Sequence, residues 1–227
     1  MGALIVFDFD GVIAESEVLA NTVLAEFVTE LGVPTTLEDS YRLYMGKRLA
    51  DVIAAVETSV GRALPASFPS QFQERTFERF RNELRLVEGA QAYIDAFAHV
   101  PRCIASSSSP DRLALCLNVL GLQATFGAHV FSASTVARGK PHPDLFLHAA
   151  RQMGVAPANS ILIEDSPSGV QAGVAAGMIV IGLLAASHIT AGHHERLLAA
   201  GARFVAATFK EAEAITRQLF GDMLADR

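Results

Sequence analysis

The strongest constraint on this chain is an interruption. A short apolar run, Ala3–Phe7, ends in acidic residues, and the next run with strand character arrives only after residue 86. Such a run of four to eight β-formers reads as a buried strand that delivers polar groups at its carboxyl end. Residues 15–86 read as helix. Between Ser16 and Leu31, Val18, Leu19, Val23, Leu24, Phe27 and Leu31 recur at helical spacing, and Gly32 and Pro34 then stop the helix. Leu37–Val60 and Ser67–Leu86 are likewise expected to be helical, separated by Gly61 and the Pro65/Pro69 region.

After Gly89 the pattern changes to alternation. Helices are expected at Ala90–His99, Asp111–Leu120, Asp144–Met153 and Ser168–Ala176. Strands are expected at Arg102–Ala105, Ala128–Ser132, Ser160–Ile163 and Met178–Leu183. Alternating strands and helices imply a mainly parallel sheet covered on both faces, with right-handed connections. The fold class is therefore α/β, a Rossmann-like parallel sheet core with an inserted helical domain. The core is expected at 1-14 and 87-227 and the insert at 15-86.

With 227 residues, 51% of them apolar, the chain can bury a substantial core. Its formal net charge of -6 disfavours nonspecific binding to nucleic acid or anionic membranes. The apolar runs Ile161–Ile163 and Met178–Leu184 are too short to span a bilayer, and Asp8 and Asp10 interrupt any leader-like apolar start. A soluble, cytoplasmic monomer is expected. Cys103 and Cys116 fall in a strand and a helix, with no spacing that suggests a disulfide or a metal pair, and read as core thiols.

In open parallel sheets, ligands bind outside the carboxyl ends of the strands. The polar residues there are Asp8 and Asp10, then Ser106, Ser107 and Ser108, then Lys140, then Glu164 and Asp165. An Asp-x-Asp-Gly alone is more often a turn, and a lone lysine more often a solvated charge. Gathered on one sheet edge, four carboxylates repel unless a cation joins them. Oxygen ligands suit Mg²⁺, which also binds substrate phosphate. A shielded carboxylate can attack phosphorus, and a lysine and a hydroxyl can hold the phosphoryl oxygens.

These segments resemble the four motifs of the haloacid dehalogenase superfamily in its phosphatase form. They are Phe7-Asp8-Phe9-Asp10-Gly11-Val12, Ile104-Ala105-Ser106, Gly139-Lys140-Pro141-His142-Pro143 and Ile163-Glu164-Asp165-Ser166-Pro167-Ser168-Gly169. The insert is similar to the small helical cap of the subgroup that contains β-phosphoglucomutases and sugar-phosphate phosphatases. The resemblance implies Asp8 as nucleophile and Mg²⁺ ligand, and Asp10 as general acid/base with its backbone carbonyl on the metal. It implies Ser106 and Lys140 as holders of the phosphoryl group, helped by backbone N–H groups near Gly11 and Ser107. Asp165 would ligate Mg²⁺, and Glu164 would do so directly or through water.

The implied activity is hydrolysis of a small phosphorylated metabolite through an aspartyl-phosphate. Leu145–Val155 and the cap pattern also resemble sugar-acid phosphatases such as 6-phosphogluconate phosphatase. A phosphomutase of the same superfamily is the alternative. The histidine expected of the mutases after the first motif is replaced near Ala20, and Glu15-Ser16-Glu17 stands where Asp-Ser-Glu is usual, which favours hydrolysis. A receiver-like module phosphorylated without turnover would be about half this length and would lack the insert. In Gly46-Lys47-Arg48-Leu49, a segment similar to the substrate-facing cap loop, Lys47 and Arg48 are candidates for binding a second anionic group or sugar hydroxyls. Removing either charge should raise KM for the natural substrate more than for an aryl phosphate. Equal effects on both substrates would refute a substrate-reading role.

Overall fold

The computed structural model describes residues 2–45 and 49–225. The chain begins with strand β1 (Leu4–Phe7) and passes through four helices, α1 (Ser16–Glu30), α2 (Leu37–Tyr44), α3 (Leu49–Val60) and α4 (Phe68–Glu83). It continues as α5 (Ala90–Ala96), β2 (Arg102–Ser106), α6 (Pro110–Val119), α7 (Gln123–Phe126), β3 (Val130–Ser132), α8 (Asp144–Gln152) and β4 (Ser160–Glu164). Then come α9 (Pro167–Ala175), β5 (Ile179–Leu183), α10 (His193–Ala199), β6 (Phe204–Ala206) and α11 (Phe209–Ala225). Among the described residues, no helix is long and apolar enough to cross a membrane.

The strands form one six-stranded sheet in the order β3-β2-β1-β4-β5-β6, with every neighbouring pair parallel. The expected α/β parallel architecture is therefore what the chain adopts. Chain direction across the sheet reverses at β1, which places a crevice at the carboxyl ends of β1 and its neighbours. Successive residues of β1 serve opposite faces. Leu4 and Val6 join a core with Leu145, Phe146, Val170 and Leu197 from α8, α9 and α10. On the other face Phe7 meets the rings of Tyr93 and Phe126 edge-on, at 5.8 and 6.0 Å between centroids. All four residues of β1 are buried, as a strand covered on both faces requires.

Two compact units divide the chain, one of residues 1–15 and 85–227, the other of residues 16–84. The sequence reading put these limits at 14/15 and 86/87. Glu15 and Arg85 go with the sheet because the Glu15 N–H donates to the Arg85 carbonyl, and Ala14 bridges Leu86. The same bridge explains why the expected helix Ser67–Leu86 stops at Glu83. The expected helix Leu37–Val60 is also divided, because Met45 is extended, with ψ 139°.

The helical unit packs Val23, Leu24, Phe27 and Val28 of α1 against Tyr44, Val52, Val56 and Phe68. A capping box starts α2: Thr36 Oγ1 accepts from the Asp39 N–H, and Asp39 accepts in return from the Thr36 N–H. Arg75 and Arg79 of α4 pair with Glu30 and Glu26 of α1, each at 2.7 Å. These bonds run along an exposed face, as the mixed charges of α4 imply.

The sequence reading ended at β5, so α10, β6 and α11 are additions, together with the single-turn α7. A buried polar contact joins the C-terminal helix to the core, a 2.7 Å hydrogen bond between the Tyr93 hydroxyl of α5 and Thr216 Oγ1 of α11. Tyr93→Phe keeps the ring contacts and strands the Thr216 hydroxyl. It should cost about 1–2 kcal/mol in urea unfolding, and a further Thr216→Val should recover most of that. An unchanged midpoint in the single variant would contradict the account.

Candidate active site

The strand register assembles the site. Phe7 is level with Ile104 of β2 and Ile163 of β4, so the residues just beyond them emerge together. Those residues are Asp8 and Asp10, Ser106, and Glu164 and Asp165. Lys140, in the connection from β3 to α8, reaches the same point. Its Nζ lies 2.8 Å from Asp8 Oδ1 and 2.7 Å from Glu164 Oε2, and its side chain is 6% exposed. The contact with Glu164 is a hydrogen bond, whereas the approach to Asp8 is an ion pair that leaves Oδ1 without a hydrogen bond.

Glu164 is fully buried and both its oxygens are engaged. Oε2 accepts from Lys140, and Oε1 accepts from the Ser166 N–H at 2.9 Å and the Ser166 hydroxyl at 2.7 Å. Ser166 Oγ in turn accepts from the Gly169 N–H and caps α9. A Cβ on Gly169 would fall on the Glu164 carboxylate, so only glycine lets the first turn of α9 come this close. Gly11 is a parallel case: its φ is +77°, and a Cβ there would strike Asp165 Oδ2.

Asp10 is held from the other side. Its Oδ2 accepts from Ser108 Oγ at 2.6 Å and from Ser106 Oγ at 3.3 Å, and its Oδ1 accepts from Arg112 Nη2 at 2.6 Å. Ser106 Oγ itself accepts from the Ser108 N–H, so the serine cluster folds back on Asp10. Ser107 is exposed, and Gly11 is buried beside Asp165. Lys47 and Arg48 lie outside the described residues.

Two sets of groups had no site role at the level of sequence, where the pair His193-His194 reads as surface or helix-start residues; α10 does begin at His193. Arg112 stands within α6, after the serine cluster, and its reach to Asp10 depends on how that helix sits against the sheet. His188 and His193 belong to the segment after β5. His188 Nε2 is 3.1 Å from Asp165 Oδ2, and His193 Nε2 is 2.5 Å from the Asp165 carbonyl oxygen. Adjacent histidines at 193 and 194 carry no pattern that distinguishes the buried ring from the exposed one. Burial lowers the pKa of His193, against the Asp165 carbonyl, which raises it.

Charge decides what this cluster can hold. Asp8, Glu164 and Asp165 offer oxygens that all lie within 4.8 Å of one another, and all three residues are buried. Burial first, and then the Glu164 carboxylate, drive the Asp8 pKa well above its ordinary value, and Lys140 offsets only part of this. For Lys140, burial opposes the charge, yet Asp8 and Glu164 outweigh it and raise its pKa. Three clustered carboxylates face one ammonium, with the His188 ring against Asp165, and beside burial the mutual repulsion of the acids is what raises the Asp8 pKa. Oxygen donors, burial and a carboxylate oxygen without a hydrogen bond fit a hard divalent cation.

A parallel sheet that gathers buried carboxylates and one lysine at its switch point defines a class, an α/β enzyme with a metal-capable acidic site. The sequence profile of the haloacid dehalogenase-like hydrolases matches residues 5–183. The chain belongs to that family, and its place there is among the phosphoric monoester hydrolases. It is 31% identical over 183 residues to the 6-phosphogluconate phosphatase of Escherichia coli, covering 80% of this chain and 82% of that protein. Two solved structures share the fold. A haloacid dehalogenase-like protein of Agrobacterium tumefaciens has TM-score 0.85 and 34% identity, with 96% of this chain and 99% of that one covered. A hydrolase of the family from Deinococcus radiodurans, solved with phosphate and sodium, has TM-score 0.81 and 33% identity, with 96% of each chain covered.

Asp8→Asn removes a buried charge that its surroundings compensate poorly. At neutral pH and with chelator present, the variant should unfold at a higher urea concentration than the parent. An acid whose folded pKa is raised costs stability above that pKa and nothing below its unfolded value. The gain should therefore vanish as pH falls through the ordinary carboxylate range near about 4. A loss of stability at neutral pH would show that the attraction of Lys140 outweighs the other terms.

Proposed function

We propose that this protein is a Mg²⁺-dependent phosphatase that hydrolyses a small sugar phosphate or sugar-acid phosphate through an aspartyl-phosphate on Asp8. The observation that carries the reading is the buried Asp8, ion-paired to Lys140, beside two further carboxylates that can share a cation. Asp8 and Asp165 would hold Mg²⁺, with the Asp10 carbonyl. Glu164, whose oxygens are already engaged by Lys140 and Ser166, would act through Lys140 or through water. When bound, the ion neutralises carboxylate and phosphate charge so that two anions can meet.

The protein's own groups carry the remaining steps. The Asp8 carboxylate attacks phosphorus, and the bond to the leaving oxygen breaks. Asp10 gives that oxygen a proton. Asp10 then takes a proton from water, the water attacks the aspartyl-phosphate, and Asp8 is restored as phosphate leaves. Lys140 and Ser106 hold the transferring group. Arg112 and Ser108 keep Asp10 at its place between the two proton transfers.

The helical unit, residues 16–84, would serve as the cap that selects substrate. A sugar-acid substrate is supported by the likeness to the 6-phosphogluconate phosphatase. The missing mutase histidine, with Ala20 near its place, favours water over a sugar hydroxyl as the second acceptor.

Asp8→Asn should abolish Mg²⁺-dependent phosphate release from an aryl phosphate while the far-ultraviolet spectrum stays that of the parent. Full activity in that variant would remove Asp8 as nucleophile. A product assay on a hexose phosphate separates the alternatives. Free phosphate is the expected product, and an isomerised sugar phosphate with little free phosphate would make the protein a mutase.

A further inference from the structure

The segment that follows β5 reaches back to the site at two atoms of one residue. His188, 6% exposed, places Nε2 at 3.1 Å from Asp165 Oδ2. His193, at the start of α10, meets the backbone carbonyl of Asp165 through its own Nε2 at 2.5 Å. The other ring nitrogen of His193 settles the proton. Arg196 Nη2 lies 2.8 Å from His193 Nδ1, and a guanidinium only donates. Nδ1 must therefore accept, the ring hydrogen sits on Nε2, and Nε2 donates to the Asp165 carbonyl. Arg196 is held in turn by Thr190, whose Oγ1 accepts from the same Nη2 at 3.2 Å.

We propose that His188, His193 and Arg196 form a clamp that fixes Asp165 as a cation ligand, His188 at its carboxylate and His193 at its backbone, with Arg196 setting the His193 tautomer. This rests on reading Asp165 as a ligand of Mg²⁺. Ordinary strand structure does not explain the arrangement. Asp165 lies one residue past the end of β4, and its carbonyl is bonded by a side chain from a segment 28 residues further on. Glu164 and the Ser166 cap of α9 hold the chain on either side of Asp165 and leave its peptide plane and side-chain torsions as its remaining freedom. Pinning both carbonyl and carboxylate removes that freedom before the ion arrives, which is how partners of ligands strengthen metal sites. Gly11 completes the packing, because a Cβ there would meet both Asp165 Oδ2 and His188 Cε1.

The test is Mg²⁺ binding itself, followed by titration calorimetry of the full chain freed of metal. His193→Leu removes the donor and should weaken Mg²⁺ by about 10–100-fold, the range found when such partners are lost. His193→Gln restores an N–H at nearly the same place and should return affinity to within about threefold of the parent, a recovery that packing alone would not give. Arg196→Met leaves the ring in place but frees its tautomer, and should weaken binding several-fold. Because Arg196 is exposed, that variant also serves if His193→Leu does not fold. Parental Mg²⁺ affinity in folded His193→Leu, or in Arg196→Met where the leucine variant fails, overturns the clamp. Asp165→Asn separates the two levels. If it binds Mg²⁺ as the parent does, the ligand reading itself fails. If it loses Mg²⁺ while His193→Leu and Arg196→Met do not, only the clamp fails.

Discussion

The ion pairs of Lys140 hold the rest of the site together. Its ammonium lies within 2.8 Å of two carboxylates, Asp8 on β1's end and Glu164 on β4's end, in a place that water barely reaches. Without it two buried anions would face each other across adjacent strands, and a pair broken inside a protein costs about 3–5 kcal/mol. The lysine is thus as much a part of the sheet's closure as of its chemistry. One ammonium still faces three clustered carboxylates, with the His188 ring against Asp165, and the mutual repulsion of the acids is what invites a cation.

The four carboxylates differ in how they are satisfied, and the differences sort them. Glu164 has both oxygens engaged, by Lys140 and by the cap of α9, so it ties the lysine to the start of that helix. Asp10 takes three donors from the β2–α6 region and is fixed but partly open, which suits a group that exchanges protons. Asp8 has its Oδ1 against the Lys140 ammonium at 2.8 Å, yet burial and the neighbouring carboxylates still oppose its charge. A carboxylate in that condition is the one with most to gain from binding a cation or forming a bond to phosphorus.

What the sequence could reveal followed from adjacency along the chain. Asp8, Asp10, Ser106, Glu164 and Asp165 sit immediately after apolar runs, so locating the strands located them. The alternation of strands and helices implied a parallel sheet, and its order, β3-β2-β1-β4-β5-β6, came from the structure. Arg112 and the two histidines depend on distances that no spacing rule supplies, and Ser108, expected at the sheet edge, owes its bond to Asp10 to the folding of the serine turn. Arg112 is on a helix, where any of several faces could have turned to the site. His193 differs from His194 only by which ring the packing of α10 turns inward. β6 escaped notice because three residues, two of them only half-buried, carry too short a pattern. The break at Met45 was signalled in the sequence by Gly46 and the loop-like Gly46–Leu49 segment, but the apolar positions on both sides keep helical spacing, and periodicity reports faces better than ends.

The donors described on the sheet also show why the chemistry is easier to read than the substrate. In the proposed mechanism each has a task toward a phosphoryl group, its charge or its proton: Lys140 and Ser106 toward the first, the acidic cluster toward the second, Asp10 with Arg112 and Ser108 toward the third. None is left over to distinguish one carbon skeleton from another. A core so committed treats the group that carries the phosphate as interchangeable, and fold alone cannot choose among such groups. Discrimination must then come from residues outside that set. Residues 16–84 form a separate compact unit with its own apolar core around Phe27 and Phe68. A unit that is stable by its own packing can change its surface without disturbing the carboxylates. Under the proposed function, that separation would let substitutions in the helical unit change the ester selected while the acidic site stays as it is.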